Sequence, residues 1–178
     1  MKIIKAILSY LWSTIRHKYF VFYAGVKIVK NIPLWRLVVH DLSKFTPVEF
    51  INYAKFYKID KDNHRQEFVM AWMHHQKRNK HHPEYWTSVS PFDWSNGYVS
   101  MPETYIREWV ADMIGASREY TGSWDMSEWL QKNITRWDNC HEDTLYYLCE
   151  VLNEVGYPVM YHPHIIALTY YPPGFKNK

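Results

Sequence analysis

Three helix-start signals, spread along the chain, constrain its fold more than any other feature. Thr46-Pro47-Val48-Glu49 reads as a capping box, a hydroxyl followed three residues later by a carboxylate. Its proline sits just inside the start, where a missing N–H costs nothing. Ser100-Met101-Pro102-Glu103 repeats the arrangement, and Asp125-Met126-Ser127-Glu128 can cap another helix. Around these signals apolar residues recur at helical spacing. Six glycines among 178 residues are too few for the many tight turns of an all-β sandwich. The expectation is an all-α chain, a single compact helical domain of six or seven helices spanning residues 1–178.

The first helix is predicted over residues 2 to about 30, with Ile4, Ile7, Leu8, Leu11, Trp12 and Ile15 on its apolar positions. Lys2 and Lys5 ahead of this run imitate a secretory leader. No small-residue cleavage site follows, and the run is too short to span a bilayer, so it reads as a core helix with no membrane partner. Pro33 opens a short, buried second helix through Lys44. A third starts after Thr46, and a fourth runs from Arg65 to about Arg78, with Pro83 blocking continuation. Residues 87–101 read as a loop of a length that often lies over a site. Further helices are predicted over residues 100 to about 120, after Asp125, and over 141–154, where Gly156 ends the last. The Pro- and Tyr-rich stretch 158–178 is expected to pack on the domain as a tail.

Charge narrows the partners. A formal charge of +3 without a Lys/Arg block argues against nucleic acid and permits a small anionic ligand. Cys140 and Cys149 lack metal-type spacing and suit buried thiols in a reducing cytoplasm, the expected location. Oligomeric state is open.

The reactive side chains are concentrated. Residues 74–86 hold four of the ten histidines, three cations and a carboxylate. His75 shares the Phe68/Trp72 stripe and is expected to face inward, and a turn can swing His81 or His82 back towards it. His74 is expected to lie behind them; a solvated polar face is the alternative for the whole cluster. His40 and Asp41 are adjacent, so their side chains reach one ion only near a helix end or from a groove. The alternative is a buried histidine beside a capping aspartate. Asp112 lies with Trp109 and Ala116, where a buried carboxylate needs a cation, a cap or a salt bridge to Arg107, Arg118 or a distant lysine. His17 stands on a mostly apolar face, the setting of a core histidine or of a ligand. Imidazole together with carboxylate suits one or two divalent transition ions: Mn, Fe, Co, Ni or Zn. Lys77, Arg78 and Lys80 are candidates for holding phosphate oxygens, Glu84 for orienting an imidazole, and Lys44 for contacting phosphate or neutralising Asp41. Tyr85, Trp86, Phe92 and Trp94 would suit stacking on a base or closing the core.

The order His17, then His40-Asp41, then Asp112 on a helical scaffold resembles the HD-domain metal-dependent phosphohydrolases. His40-Asp41-Leu42-Ser43 is similar to the H-D-x-S turn of their deoxynucleotidase branch, and residues 111–116 to its closing A-D-x-x-x-A helix. More closely still, the chain resembles an uncharacterised family of bacteria and their phages, over about residues 15 to 155. That family reads H-D-x-S-K-F, H-H-Q-x-x-N-x-H-H-x-x-Y-W and M-P-x-x-Y-x-x-E-x-x-x-D, here residues 40–45, 74–86 and 101–112. The HD resemblance implies an HD-like fold, with His17, His40, Asp41 and Asp112 as ligands of a first metal. It further implies one or more ligands of a second metal from the His74, His75, His81 and His82 cluster, of which the residue pattern favours His75 with His81 or His82, and Lys44 and Glu84 are the candidates for assisting catalysis. The function so implied is hydrolysis of a nucleotide or related small phosphoester by metal-activated water. The tandem histidine pairs depart from the simple deoxynucleotidases. The alternative is a non-catalytic phage or bacterial factor that binds a nucleotide or a host protein in the same basic, aromatic pocket.

Overall fold

The computed structural model describes residues 2–93, 95–137, 139–162 and 167–171. The helix-start signals act close to their predicted places, by partly different contacts. α3 (Pro47–Lys58) begins at the proline, but the Thr46 hydroxyl donates back to the Ser43 carbonyl at 2.7 Å. Glu49 does not close the capping box either; it is fully buried. α5 (Glu103–Thr121) takes Pro102 as its cap, two residues past Ser100. α6 (Ser127–Asn133) is led by Asp125, whose carboxylate accepts from the Ser127 N–H at 2.9 Å. A ring nitrogen of His141 accepts from the Asp143 N–H and caps α7 (Glu142–Glu154). With α1 (Lys2–Ala24), α2 (Leu34–Val39) and α4 (Arg65–Arg78), the described residues form seven α-helices.

Two predicted helices are interrupted, and both interruptions shape the site. α1 gives way to a wider π turn over Gly25–Val29. Leu37 packs closely on Gly25 there: a Cβ would stand 2.5 Å from a Leu37 methyl, and that side chain would have to shift to admit one. The second helix does not continue to Lys44 but stops at Val39. His40 is extended, with ψ 128°, and Asp41 adopts the left-handed conformation, with φ 56°, before a single tight turn over Leu42–Phe45. Aspartate is among the few residues that accept this conformation. The break leaves the Val38 and His40 carbonyls without helical partners, and both accept from the Lys18 ammonium.

The stretches predicted as loop and tail each form a small antiparallel ribbon. β1 (Thr87–Val89) pairs with β2 (Asn96–Tyr98), and β3 (Val159–His162) with β4 (Ala167–Tyr170). Trp94 and residues 172–178 lie outside the described residues. Val159 and Tyr157 tie the second ribbon to the main core.

That core joins Val21 and Ala24 of α1 to Ile106, Val110 and Ile114 of α5 and to Leu145, Leu148 and Leu152 of α7. A smaller core of Tyr10, Tyr53, Ala54 and Ala71 joins α1 to α3 and α4. α1 runs through both, and Thr14 and His17 lie between its contributions to each. α1 and α5 approach closely at Gly115, where a Cβ would lie 2.7 Å from the Val21 backbone nitrogen. The predicted core stripe of α1 needs correction: Ile4, Leu8, Trp12 and Ile15 are exposed, and Ala6, Tyr10, Thr14, His17 and Val21 face inward. The helix is apolar on both sides, so periodicity alone could not choose the buried one. Among the described residues no helix is long and apolar enough to cross a membrane.

Candidate metal centre

The break after α2 gives Asp41 its place. With His40 extended and Asp41 left-handed, two adjacent side chains converge where a continuous helix would have turned them apart. Both are buried, together with His17, His75 and His81. The two oxygens of Asp41 serve two sets of ligand atoms. Oδ2 lies 3.4 Å from His17 Nε2 and 3.4 Å from His40 Nε2, and Asp112 Oδ1 stands 3.0 Å and 3.6 Å from the same two nitrogens. Oδ1 lies 3.4 Å from both His75 Nε2 and His81 Nε2, and His82 Nε2 is 2.9 Å from His75 Nε2. Within each set, ligand atoms lie no more than 4.8 Å apart.

The donor set fits a divalent cation. His17 Nε2, His40 Nε2, His81 Nε2, Asp112 Oδ1 and Asp41 Oδ1 are buried without a hydrogen-bond partner, and Asp41 Oδ2 meets the Lys44 ammonium. Such orphaned groups are costly unless something electrophilic stands between them. Two donors each about 2.1 Å from a tetrahedral ion are themselves about 3.4 Å apart, which matches the recurring separation here. Nitrogen and oxygen donors together favour Mn, Fe, Co, Ni or Zn.

Two carboxylates behind the imidazoles fix which nitrogen faces inward. Glu49 Oε2 is 2.8 Å from His75 Nδ1 and Oε1 is 2.6 Å from His74 Nδ1, with the Ser43 hydroxyl donating to Oε2 at 3.1 Å. Glu108 Oε1 is 3.0 Å from His40 Nδ1 and 3.4 Å from His81 Nδ1. Its other oxygen accepts from Arg36 Nε at 2.8 Å, and that guanidinium lies over the Tyr105 ring. Carboxylates that accept from the outer Nδ1–H leave Nε2 as the inward lone pair.

Electrostatics separate the histidines. Burial holds His82 well below its ordinary value, helped by His81 and His75; burial and then His40 lower His81. Both rings are thus neutral and able to donate a lone pair. At His40 burial opposes protonation, but Asp41, Asp112 and Glu108 outweigh it and raise the group to about 10. Burial would raise Asp41 and Asp112, yet the surrounding imidazoles, with Lys44 at Asp41, hold both well below the usual carboxylate range.

Both His81 and His82 reach the second set, and His74 lies behind it on Glu49. Lys44 Nζ is 2.5 Å from Asp41 Oδ2. Asp112 meets histidines, not the arginines of its own helix: Arg107 pairs with Glu103 and Glu154, and Arg118 donates to the Gly122 carbonyl. Lys77, Arg78 and Lys80 are exposed and line neither chamber at the centre. Glu84 is 3.9 Å from His82 Nδ1, beyond hydrogen-bond reach, whereas Glu49 and Glu108 lie within it of His75 and His40. The sequence around Glu49 has the pattern of a capping box, which hides its place behind His74 and His75. The one signal for Glu108 in the sequence is its position, one helical turn before Asp112 and on the same face.

Two chambers open on the cluster. One, of about 730 Å³, is walled by Trp72, Trp109, Trp129, Trp137 and Tyr98, with Asn96, Asn133 and Asn139 at its polar points. The other, of about 440 Å³, carries Tyr10, Tyr53 and Tyr57 with Lys44, Lys58 and Lys61. His82 and Asp112 line both. The rings proposed for stacking are elsewhere: Phe92 is 94% exposed, Trp86 packs on the core, and Trp94 is outside the described residues. Cys140 borders the larger chamber; Cys149 is buried, its thiol pushed up to about 12 by burial.

The model of a family described as of unknown function, DUF5662, matches residues 6–154, well over half of the chain. The chain belongs to that family. The matched span contains both ligand sets, both orienting carboxylates and all seven helices except the first residues of α1. Comparison with curated proteins and with solved structures gave no match. The family's description assigns no activity, so the HD resemblance rests on the residues that carry it.

Proposed function

We propose that the protein is an HD-like, metal-dependent phosphohydrolase acting on a nucleotide or related small phosphoester. The observation that carries the reading is Asp41, buried, with each oxygen turned to its own set of ligand atoms and Oδ1 left without a hydrogen-bond partner. His17, His40, Asp41 and Asp112 would hold one ion, and Asp41, His75, His81 and His82 a second. When bound, such ions supply Lewis acidity towards a phosphoryl oxygen and make water a nucleophile near neutral pH.

The chain's own residues do the rest. Glu49 and Glu108 keep the imidazoles in the tautomer and orientation that a ligand requires. Lys44, Lys58 and Lys61 make the smaller chamber cationic and draw the phosphate to the cluster. The tryptophan-lined chamber receives the organic part of the substrate, and its asparagines offer both donors and acceptors to a heterocycle. One observation favours a second reading, a non-catalytic binding protein. The Lys44 ammonium touches Asp41 and can neutralise that carboxylate without any metal.

The test is metal content followed by a substrate screen. Protein purified without chelator, or reloaded with Mn, Co, Ni or Zn, should hold one to two equivalents and release phosphate from nucleotides or cyclic nucleotides. Asp41→Asn, which tolerates the left-handed backbone, should lose both metal and activity with unchanged helicity. Metal below about a tenth of an equivalent after reloading would sink the enzyme reading, because the chemistry needs the ion.

A further inference from the structure

The side of α1 turned away from Tyr10, Thr14, His17 and Val21 is as apolar as the side it buries. Ile4 is 61% exposed, Leu8 59%, Trp12 62%, Ile15 45% and Tyr19 62%. Their spacing places them on one face, along about 22 Å of helix. α2, packed beside α1, exposes a further apolar set, Leu34, Trp35 and Val38, each at least 60% exposed. Lys18, at the edge of the stripe, ties the two helices together by donating to the Val38 carbonyl at 3.2 Å. Contiguous apolar faces of this kind mark a contact surface.

Charge decides what meets it. Residues 2–39 hold seven Lys and Arg and no Asp or Glu, whereas the rest of the chain carries 14 Lys and Arg against 18 Asp and Glu. Within that stretch Arg16 and Arg36 are neutralised by Glu119 and Glu108. Lys5, Lys27 and Lys30 are exposed and pair with no carboxylate among the described residues. A second copy of the chain, meeting this face with the same face, would bring like charges together without an acid to offset them. An anionic surface meets them favourably. Trp12, Tyr19 and Trp35 add rings with polar tips, the side chains that settle at the boundary between headgroups and acyl chains. A rod with an apolar face, basic flanks and no capacity to span is the form of an interfacial helix.

We propose that the outer face of α1, together with the exposed set of α2, docks the protein on an anionic lipid surface with α1 lying in the plane of the interface. The inward face of α1, which carries His17, remains with the metal cluster, so docking and ligand binding use opposite sides of one helix.

Sedimentation with vesicles of equal parts phosphatidylglycerol and phosphatidylcholine tests it, with pure phosphatidylcholine as reference. The full chain should partition into the anionic vesicles and markedly less into the neutral ones. Raising salt from about 0.1 M to about 1 M should weaken binding, since the Debye length falls from about 10 Å to about 3 Å. Leu8→Glu with Trp12→Glu should cut partitioning at least about tenfold, because the apolar contact is lost. Lys5→Glu, Lys27→Glu and Lys30→Glu together should remove the preference for anionic lipid while the circular dichroism spectrum is unchanged. Absence of binding to anionic vesicles at low salt would overturn the proposal, as would equal binding to neutral ones. A dimer of the wild-type chain that Leu8→Glu with Trp12→Glu converts to monomer would also overturn it, in favour of a second copy.

Discussion

Replacing Glu49 by glutamine is the sharpest probe of the two-set geometry. The carboxylate is fully buried and takes both outward imidazole nitrogens of His74 and His75, plus the Ser43 hydroxyl. Glutamine matches the shape but offers one acceptor oxygen to two imidazoles and adds a donor that neither wants. His75 then loses the partner that holds Nε2 inward, and only the second set contains His75. Loss of such an orienting partner lowers metal affinity about 10- to 100-fold, or about 1.4 to 2.8 kcal/mol. Calorimetric titration of chelator-stripped protein with Mn²⁺ should therefore show one weakened ion in Glu49→Gln and one near the wild-type value. Glu108→Gln should weaken both, because Glu108 Oε1 faces His40 of the first set and His81 of the second. Affinities in Glu49→Gln within about twofold of wild type would refute the orienting role. Equal weakening of both ions in Glu49→Gln would refute the division into two sets.

Gly115→Ala should cost about 1 to 3 kcal/mol in urea melts, because its Cβ would meet the Val21 backbone at 2.7 Å. It should also weaken the first ion by parting His17 from Asp112; an unchanged melt would contradict the close approach of α1 and α5. The stability of the metal-free protein should peak near neutrality. Asp41, Asp112, Glu49 and Glu108 are all held low, so their contribution is present above about pH 4.5 and is lost in acid. His81 and His82 are also held low, and their contribution, present above about pH 6.5, is lost as pH falls. His40 acts oppositely: its contribution is full below about pH 6.5 and disappears as pH rises through about 10. A melting temperature that climbs steadily to pH 10 would contradict the placement of His40. Lys77→Ala with Arg78→Ala should leave the KM for an anionic substrate unchanged, since both side chains are exposed away from the chambers; a raised KM would return them to the binding surface.

The fold was legible because helix starts are written locally. Pro47 and Asp125 act at their own positions, through φ restriction and a short side-chain acceptor, whatever the rest of the chain does. His17, His40, Asp41 and Asp112 were legible as a group only through their order, since no local rule brings residues 17 and 112 together. The break at Asp41 was not legible, because a left-handed aspartate is stabilised by what surrounds it and not by its own preference. Glu49 was misread for a related reason: a capping-box glutamate and a buried orienting glutamate look identical until the partner helix is placed. The buried side of α1 was undecidable from one sequence, because Leu8 and Val21 are equally apolar and only packing distinguishes them.

The two ligand sets close over very different lengths of chain. The second is complete within residues 41–82, while the first spans residues 17–112 and cannot form until α5 lies against α1. During synthesis the donors of the second set therefore leave the ribosome some thirty residues before the last donor of the first. An ion captured by the early set would hold α4 and the turn after α2 together through Asp41, shortening the loop that α5 must later close. Asp41 would then act in folding as a hinge pin, set in place by one half of the chain before the other half arrives.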